Sequence, residues 1–187
     1  MALATNLKKQ GFDTINTAIL EKAMKEIYEG HTPQIGIDSS NKFLSSALES
    51  RQKKKNELTK NAGEKFLQEN KKKEGVITLP SGLQYQVLKK GDGAVPTADD
   101  KVTTHYTGTL IDGTVFDSSV ERGQPATVQV KAVIPGWIEA LQLMPVGSKW
   151  RLFIPYNLAY GETAAGPKIP AYSTLIFDVE LLSIEKK

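Results

Sequence analysis

Residues suited to covalent or metal chemistry are scarce in this chain. It has no cysteine, so there is neither a thiol nucleophile nor a disulfide framework. Its two histidines, His31 and His105, show no metal-ligand spacing, and no Ser–His–Asp constellation is visible. In "KVTTHYTGTL" alternation turns His105 away from Tyr106, which makes it a structural residue. Aromatic and polar groups remain. The stretch "VIPGWIEAL", Val133 to Leu141, reads as the first turns of a helix, with Pro135 where the first N–H groups lack partners anyway. It carries Trp137 near its N-terminal end. So short a helix is marginal in water, and something must cover it: a core or a ligand. Taken singly, Phe177 reads as an inward core residue and Asp117 with Arg122 as a surface ion pair worth little. Tyr106 and Tyr160 read as half-buried aromatics of a strand and a loop.

The elements that must position these groups change character near residue 75. Before it, Pro33 is the only proline and helix formers dominate; after it, β-branched residues, glycines and eight prolines mark strands and turns. A helical stub is expected over Leu3 to Gln10, broken at Gly11. "FDTINTAILEKAMKEIYEG" predicts a helix capped by Asp13 and stopped by Gly30 and Pro33. Its residues Leu20, Ala23, Met24 and Ile27 form one apolar stripe. A long helix follows from about Ser40 to Lys73, roughly 50 Å at 1.5 Å per residue. Its middle, "ESRQKKKNE", is polar all round, as in a stalk that bridges two bodies through solvent. About 40 residues of N-terminal helix are too few to bury their stripes alone, so self-association is expected.

Five later segments alternate with period two. Leu83, Tyr85 and Val87 oppose Gln84 and Gln86; Val102, Thr104 and Tyr106 share a face, as do Ala126, Val128 and Val130. Trp150, Leu152 and Ile154 form another inward set, and Leu175, Phe177, Val179 and Leu181 the last. With one short helix, Pro135 to Leu143, among them, the economical solution is an antiparallel sheet wrapped over that helix. The class is α+β: an N-terminal helical domain with a long stalk helix, then the sheet.

Charge excludes some functions. Through Gly75 there are 14 lysines and arginines against 10 acids; beyond it there are 10 against 11. The basic excess is small and interleaved with acids, which describes a solvated helix surface and no nucleic-acid patch. The chain has no run of 18 apolar residues with which to span a membrane. "MALATNLKKQ" lacks the apolar region of a leader, and a preceding segment is expected to be missing or replaced.

"VTTHYTGTLIDGTVFDSSVERGQPATVQV", "VIPGWIEALQLMPVGSKWRLFIP", "LAYG" and "IPAYSTLIFDVELL" together resemble the FKBP family of peptidyl-prolyl cis-trans isomerases, over about Gly82 to Ile184. The helical N-terminus resembles the dimeric bacterial subgroup of the macrophage infectivity potentiator (Mip) type. The resemblance implies three parts: a dimerisation segment over 1–38, a connecting helix over 39–75, and an FKBP-like half-barrel over 76–187. It implies no cofactor and no metal. It also implies proline-containing polypeptide substrates, a homodimer through the N-terminal helices, and macrolide inhibitors as further ligands. Relatives of this architecture are usually exported to the periplasm or outer surface, with the cytoplasm as the alternative.

The implied chemistry needs no nucleophile. Rotation about an X–Pro bond breaks amide resonance over a barrier of about 18–20 kcal/mol. The planar state is charge-separated and the twisted state less so, so an apolar, water-excluding site favours the twisted state. By similarity, Trp137 floors the proline pocket, and Tyr106, Phe116, Val133, Ile134 and Phe177 line its walls, with Val128 beside them. Tyr160 donates its hydroxyl to a substrate carbonyl, and the Ile134 N–H holds another. Asp117 points a carboxylate at the edge, oriented by Arg122 and the Tyr106 hydroxyl, and Ile169 closes one side. On one framework, residues that singly read as core make a site. The chain departs from the family pattern at Ala126, Ala165 and Ala132, and the stretch before Val133 is one residue shorter. These changes widen the rim and bear on macrolide affinity and on efficiency with small peptides. The competing readings are a chaperone cleft with two weak pockets acting through avidity, and a binding module for proline loops without turnover.

Overall fold

The computed structural model describes residues 1–9, 12, 14–32 and 36–185, and the backbone alone at Ile37. Two compact units divide the chain, Met1–Lys54 and Lys55–Lys187.

In the first unit, helix α1 spans Ala2–Lys9 and helix α2 spans Thr17–Tyr28. Gln10, Gly11, Asp13 and Pro33, expected as helix end, break, cap and stop, lie outside the described residues. The cap of α2 is Asn16, whose side chain accepts from the Ile19 N–H at 3.1 Å. Gly30, at φ +73°, stops the helix: its N–H reaches the Ile27 carbonyl and the His31 N–H reaches back to Glu26, a pairing that satisfies the last free carbonyls. No residue of α1 or α2 is buried.

Helix α3 runs unbroken over Ile37–Asn70, about 51 Å at 1.5 Å per residue. Arg51 to Lys55 are all exposed, in keeping with a polar middle. Its final turns, from Lys55 on, belong to the second unit.

The second unit is a seven-stranded antiparallel sheet. Its strands are β1 (Val76–Thr78), β2 (Gln84–Lys89), β3 (Lys101–Leu110), β4 (Val115–Ser118), β5 (Ala126–Gln129), β6 (Lys149–Ile154) and β7 (Leu175–Glu185). They run in the order β1-β2-β6-β7-β3-β4, with β5 also pairing β3. Beyond the five segments that alternation predicts, β1 and β4 add two strands too short to show a period. Helix α4 spans Pro135–Leu141, with Pro135 in its first turn, and buries Gly136, Trp137, Ala140 and Leu141. It lies close to the sheet because Gly136 has no side chain: a Cβ there would stand 2.5 Å from Ile154 Cγ2. The inward residues of β6 and β7 fill the space. Leu152, Ile154, Leu175, Val179 and Leu181 are fully buried, and Trp150 nearly so.

Alternation fails where α3 covers the outer face. Gln84, expected to face solvent, is buried: its Nε2 donates to the Leu67 carbonyl at 2.9 Å and its Oε1 accepts from Asn70 Nδ2 at 3.0 Å. Phe153 is buried too, its ring centre 6.0 Å from that of Phe66. Further out on this face, Arg151 and Asp178 stand opposite each other in β6 and β7 and form a bidentate pair at 2.6 and 2.7 Å. Val130 also departs from its expected strand. It begins a 3-10 turn, Val130–Ala132, although it is still buried.

Candidate active site

Between the sheet and the N-terminal end of α4 lies a cavity of about 580 Å³, a size usual for small-molecule and side-chain sites. Trp137 is buried in the first turn of α4, where two aromatic rings pack against it and a third packs against one of those. Tyr106 meets it edge-on at 5.3 Å and 89°, and Phe177 at 5.3 Å and 83°. Phe116 meets Phe177 edge-on at 5.4 Å and 82°. Such perpendicular contacts suit the ring quadrupoles and hold each plane at a fixed tilt. The Trp137 Nε1 has no hydrogen-bond partner among the described residues. Ring shape rather than the N–H holds the indole there.

Phe116 and Asp117 are neighbours in β4, and a regular strand would send them to opposite faces. Both line the cavity. The register shows how: Gly108 pairs with Asp117, but Thr109 pairs with Val115, so Phe116 is an extra residue in a β-bulge. A bulge re-aims side chains, and here it turns two adjacent ones into one space. Gly108 makes room for it. A Cβ there would lie 2.6 Å from the Phe116 ring and 2.7 Å from Phe177 Cε1. Neither the bulge nor the need for glycine at 108 is legible in "YTGTLIDGTVFDSS". Gly108 and Gly136 shape the site by close approach, and the sequence marks them only as a glycine inside a strand and one inside a helix turn, without the reason.

At the cavity edge Asp117 accepts from the Tyr106 hydroxyl and from Arg122 Nη1; Arg122 Nη2 also donates to the Tyr106 hydroxyl at 3.1 Å. Burial pushes the Asp117 carboxyl up, but the hydrogen bonds from Tyr106 and Arg122 and the Arg122 charge outweigh it, and the group sits below its ordinary value of 3.8. Burial, with the bond to Asp117, pushes the Tyr106 phenol above 10.0. At neutral pH the carboxylate is therefore charged and the phenol protonated. The 3-10 turn Val130–Ala132 leads into Val133 and Ile134. The Ile134 carbonyl serves the helix, accepting from Trp137 at 2.9 Å and Ile138 at 3.1 Å.

Val128, Val133, Ile134, Tyr160 and Ile169 complete the lining with Tyr106, Phe116, Asp117, Trp137 and Phe177; Arg122 stands behind Asp117. Ala132 and Ala165, two of the small residues at the rim, line it as well. Tyr160 is 45% exposed, at the open side. His105 lies apart, its Nδ1 3.0 Å from the Ser119 hydroxyl. No group of three or more metal-ligating side chains forms among the described residues. A second depression, of about 510 Å³, lies on the outer face beside Arg151 and Asp178 and contains none of these candidates.

An antiparallel sheet curled over a short helix leaves an aromatic-floored pocket at the helix end, shaped for a small apolar ring. Comparison with known proteins gives the class. Residues 93–182 match the family model described as FKBP-type peptidyl-prolyl cis-trans isomerase, and residues 1–87 match the domain amino-terminal to such isomerases. The chain is 47% identical to the FKBP-type 22 kDa peptidyl-prolyl cis-trans isomerase of Escherichia coli, over 98% of this chain and 91% of that one. It is 48% identical to the outer membrane protein MIP of Legionella longbeachae, over 98% and 82%. Among solved structures, FkpA from Escherichia coli matches with a TM-score of 0.86 at 33% identity, over 98% of this chain and 90% of that one. The chain belongs to the FKBP-type peptidyl-prolyl cis-trans isomerases. No helix among the described residues is long and apolar enough to cross a membrane.

Proposed function

We propose that the protein accelerates cis-trans isomerisation of X–Pro bonds in polypeptides by holding the proline ring against Trp137. The arrangement that carries this reading is the set of edge-on rings around Trp137 with one charged carboxylate at the rim. The reaction makes and breaks no covalent bond to the protein. A proline seated among Tyr106, Phe116, Val133, Ile134 and Phe177 has its amide drawn out of water, which disfavours the charge-separated planar state. Tyr160 donates its hydroxyl to one substrate carbonyl and the Ile134 N–H donates to another, fixing the chain on both sides of the rotating bond. Asp117, held by Tyr106 and Arg122, places negative charge beside the amide. Val128 and Ile169 close the sides. The test is cis-to-trans conversion of a short X-Phe-Pro peptide. Loss of a hydrogen-bonded charge in Asp117→Ala should lower kcat/KM about 10- to 100-fold, and Tyr160→Phe about 3- to 10-fold. Unchanged rates in both variants would remove the site from this cavity.

A second activity has its own support. Helix α2 leaves Ile19, Met24 and Ile27 exposed. On this reading residues 1–38 self-associate, 39–75 connect, and 76–187 catalyse, so that a dimer presents two pockets to one unfolded chain as a chaperone. Sedimentation of the full chain tests the dimer, a monomer at all concentrations overturning it, and protection of a refolding substrate without slow prolines tests the chaperone. Macrolide inhibitors would occupy the same cavity, with Ala126, Ala132 and Ala165 loosening the fit; inhibition of the peptide assay tests this. The name of the Legionella relative, an outer membrane protein, supports the outer surface within the reading of a periplasmic or outer-surface place, to be checked by fractionation.

A further inference from the structure

Over its last turns helix α3 turns one face to the sheet unit. Lys60, Gly63, Leu67 and Asn70 recur at spacings of three and four. Leu67 and Asn70 hold Gln84. Gly63 lies against Thr174: a Cβ added to it would be 3.1 Å from Thr174 Cβ. Lys60 places its Nζ 5.6 Å from the centre of the Tyr156 ring, within reach of a cation–π contact.

Tyr156 is no isolated surface ring. It opens the 3-10 turn Tyr156–Leu158. Its carbonyl accepts from the N–H groups of Ala159 at 3.0 Å and Gly161 at 2.8 Å, the two neighbours of Tyr160. The Gly161 carbonyl in turn accepts from the Tyr172 N–H at 3.0 Å, and the Tyr172 ring packs 5.2 Å from that of Tyr156. Tyr172 is held at φ +62°, the one non-glycine positive φ among the described residues. A tyrosine stays in that region only where its surroundings over-determine it. The segment bearing Tyr160 thus hangs from Tyr156 and Tyr172, and α3 supports Tyr156 from below. A hydrogen bond with the Tyr156 hydroxyl draws the Lys60 ammonium above its ordinary value of 10.5.

We propose that Lys60 is a positioning residue of the isomerase site: by holding Tyr156 from helix α3, it fixes the loop in which Tyr160 presents its hydroxyl to the substrate. This rests on the reading of Tyr160 as a donor to a substrate carbonyl. It makes the end of the connecting helix part of the catalytic support.

The test is a set of kcat and KM measurements on the full chain with the X-Phe-Pro peptide. Lys60→Ala should lower kcat about two- to fivefold with little change in KM, the loss expected for one cation–π contact acting on a group used in the transition state. Lys60→Arg, which keeps a cation over the ring, should restore most of it. Lys65→Ala, an exposed lysine of the same helix, should match the parent. In a Tyr160→Phe background Lys60→Ala should add nothing, because the group it positions is gone. Equal losses in both backgrounds, or no rescue by arginine, would mean general destabilisation and overturn the proposal. Full activity in Lys60→Ala beside a clear loss in Tyr160→Phe would overturn it and leave the site reading intact. Full activity in Tyr160→Phe would remove the donor role of Tyr160 and this inference with it.

Discussion

Helix α2 and strand β7 are both periodic, and the molecule treats them differently. In β7 the inward residues Leu175, Val179 and Leu181 are fully buried and Phe177 is 5% exposed. In α2 the stripe residues Met24 and Ile27 are 41% and 63% exposed, and neighbouring Ile19 66%. Period alone names the face that seeks cover; it does not supply the cover. In the sheet unit α4 and the facing strands provide it, and the unit carries its own core. In the N-terminal unit two short helices have no buried residue, and a second copy of the chain is the cover proposed above. Catalysis needs fixed ring planes, and only the first kind of region holds them.

Core truncation tests that contrast most strongly. Leu152→Ala should destabilise the sheet unit by about 2–5 kcal/mol. Trp137 and Trp150 are the chain's only tryptophans and both lie in that unit, so denaturant unfolding followed by tryptophan fluorescence reads it alone. The matching truncation in the other region, Ile27→Ala, should leave the same midpoint within about 0.5 kcal/mol, while weakening the self-association proposed for the N-terminal helices. If Ile27→Ala moved the tryptophan midpoint as far as Leu152→Ala, the two regions would not differ as described.

Gly108→Ala is the next largest. A methyl between Phe116 and Phe177 should cost about 1–3 kcal/mol as overpacking. Activity should fall further than stability suggests, because the bulge loses its aim. Normal kcat/KM in a folded Gly108→Ala variant would show that the ring planes are not set there.

The smallest effect is that of pH. Asp117 has a folded value below its ordinary one, so its contribution to stability is present above the ordinary carboxylate range and is lost as pH falls through the folded value. The group is partly exposed, which keeps the contribution small. The pH–rate profile of kcat/KM should therefore stay flat through the ordinary carboxylate range and decline only below it. A decline centred above 3.8 would mean that Tyr106 and Arg122 do not hold the carboxylate as described.

Much of the fold is legible in the sequence alone. Alternation in "SKWRLFIPY" and "TLIFDVELLSIE" marks Trp150, Leu152, Ile154, Leu175, Val179 and Leu181 as core, because a strand's side-chain period is a covalent property of the extended chain. Gly30 as the stop of α2 and Pro135 at the start of α4 follow from backbone chemistry that any context must respect. Other features lay beyond local reading. Gln84 reads as solvent-facing from its neighbours and is buried by a helix that ends 14 residues earlier, at Asn70. Phe116 and Asp117 share one cavity through a register shift against β3. Lys60 reads as one more charge on a polar helix until the Tyr156 ring is placed beside it. Periodicity and turn chemistry are local, and one residue type after another reveals them. Burial of a polar group, the aim of a bulged strand and the partner of a lysine depend on what the rest of the chain brings within a few ångströms, and only the folded unit decides that.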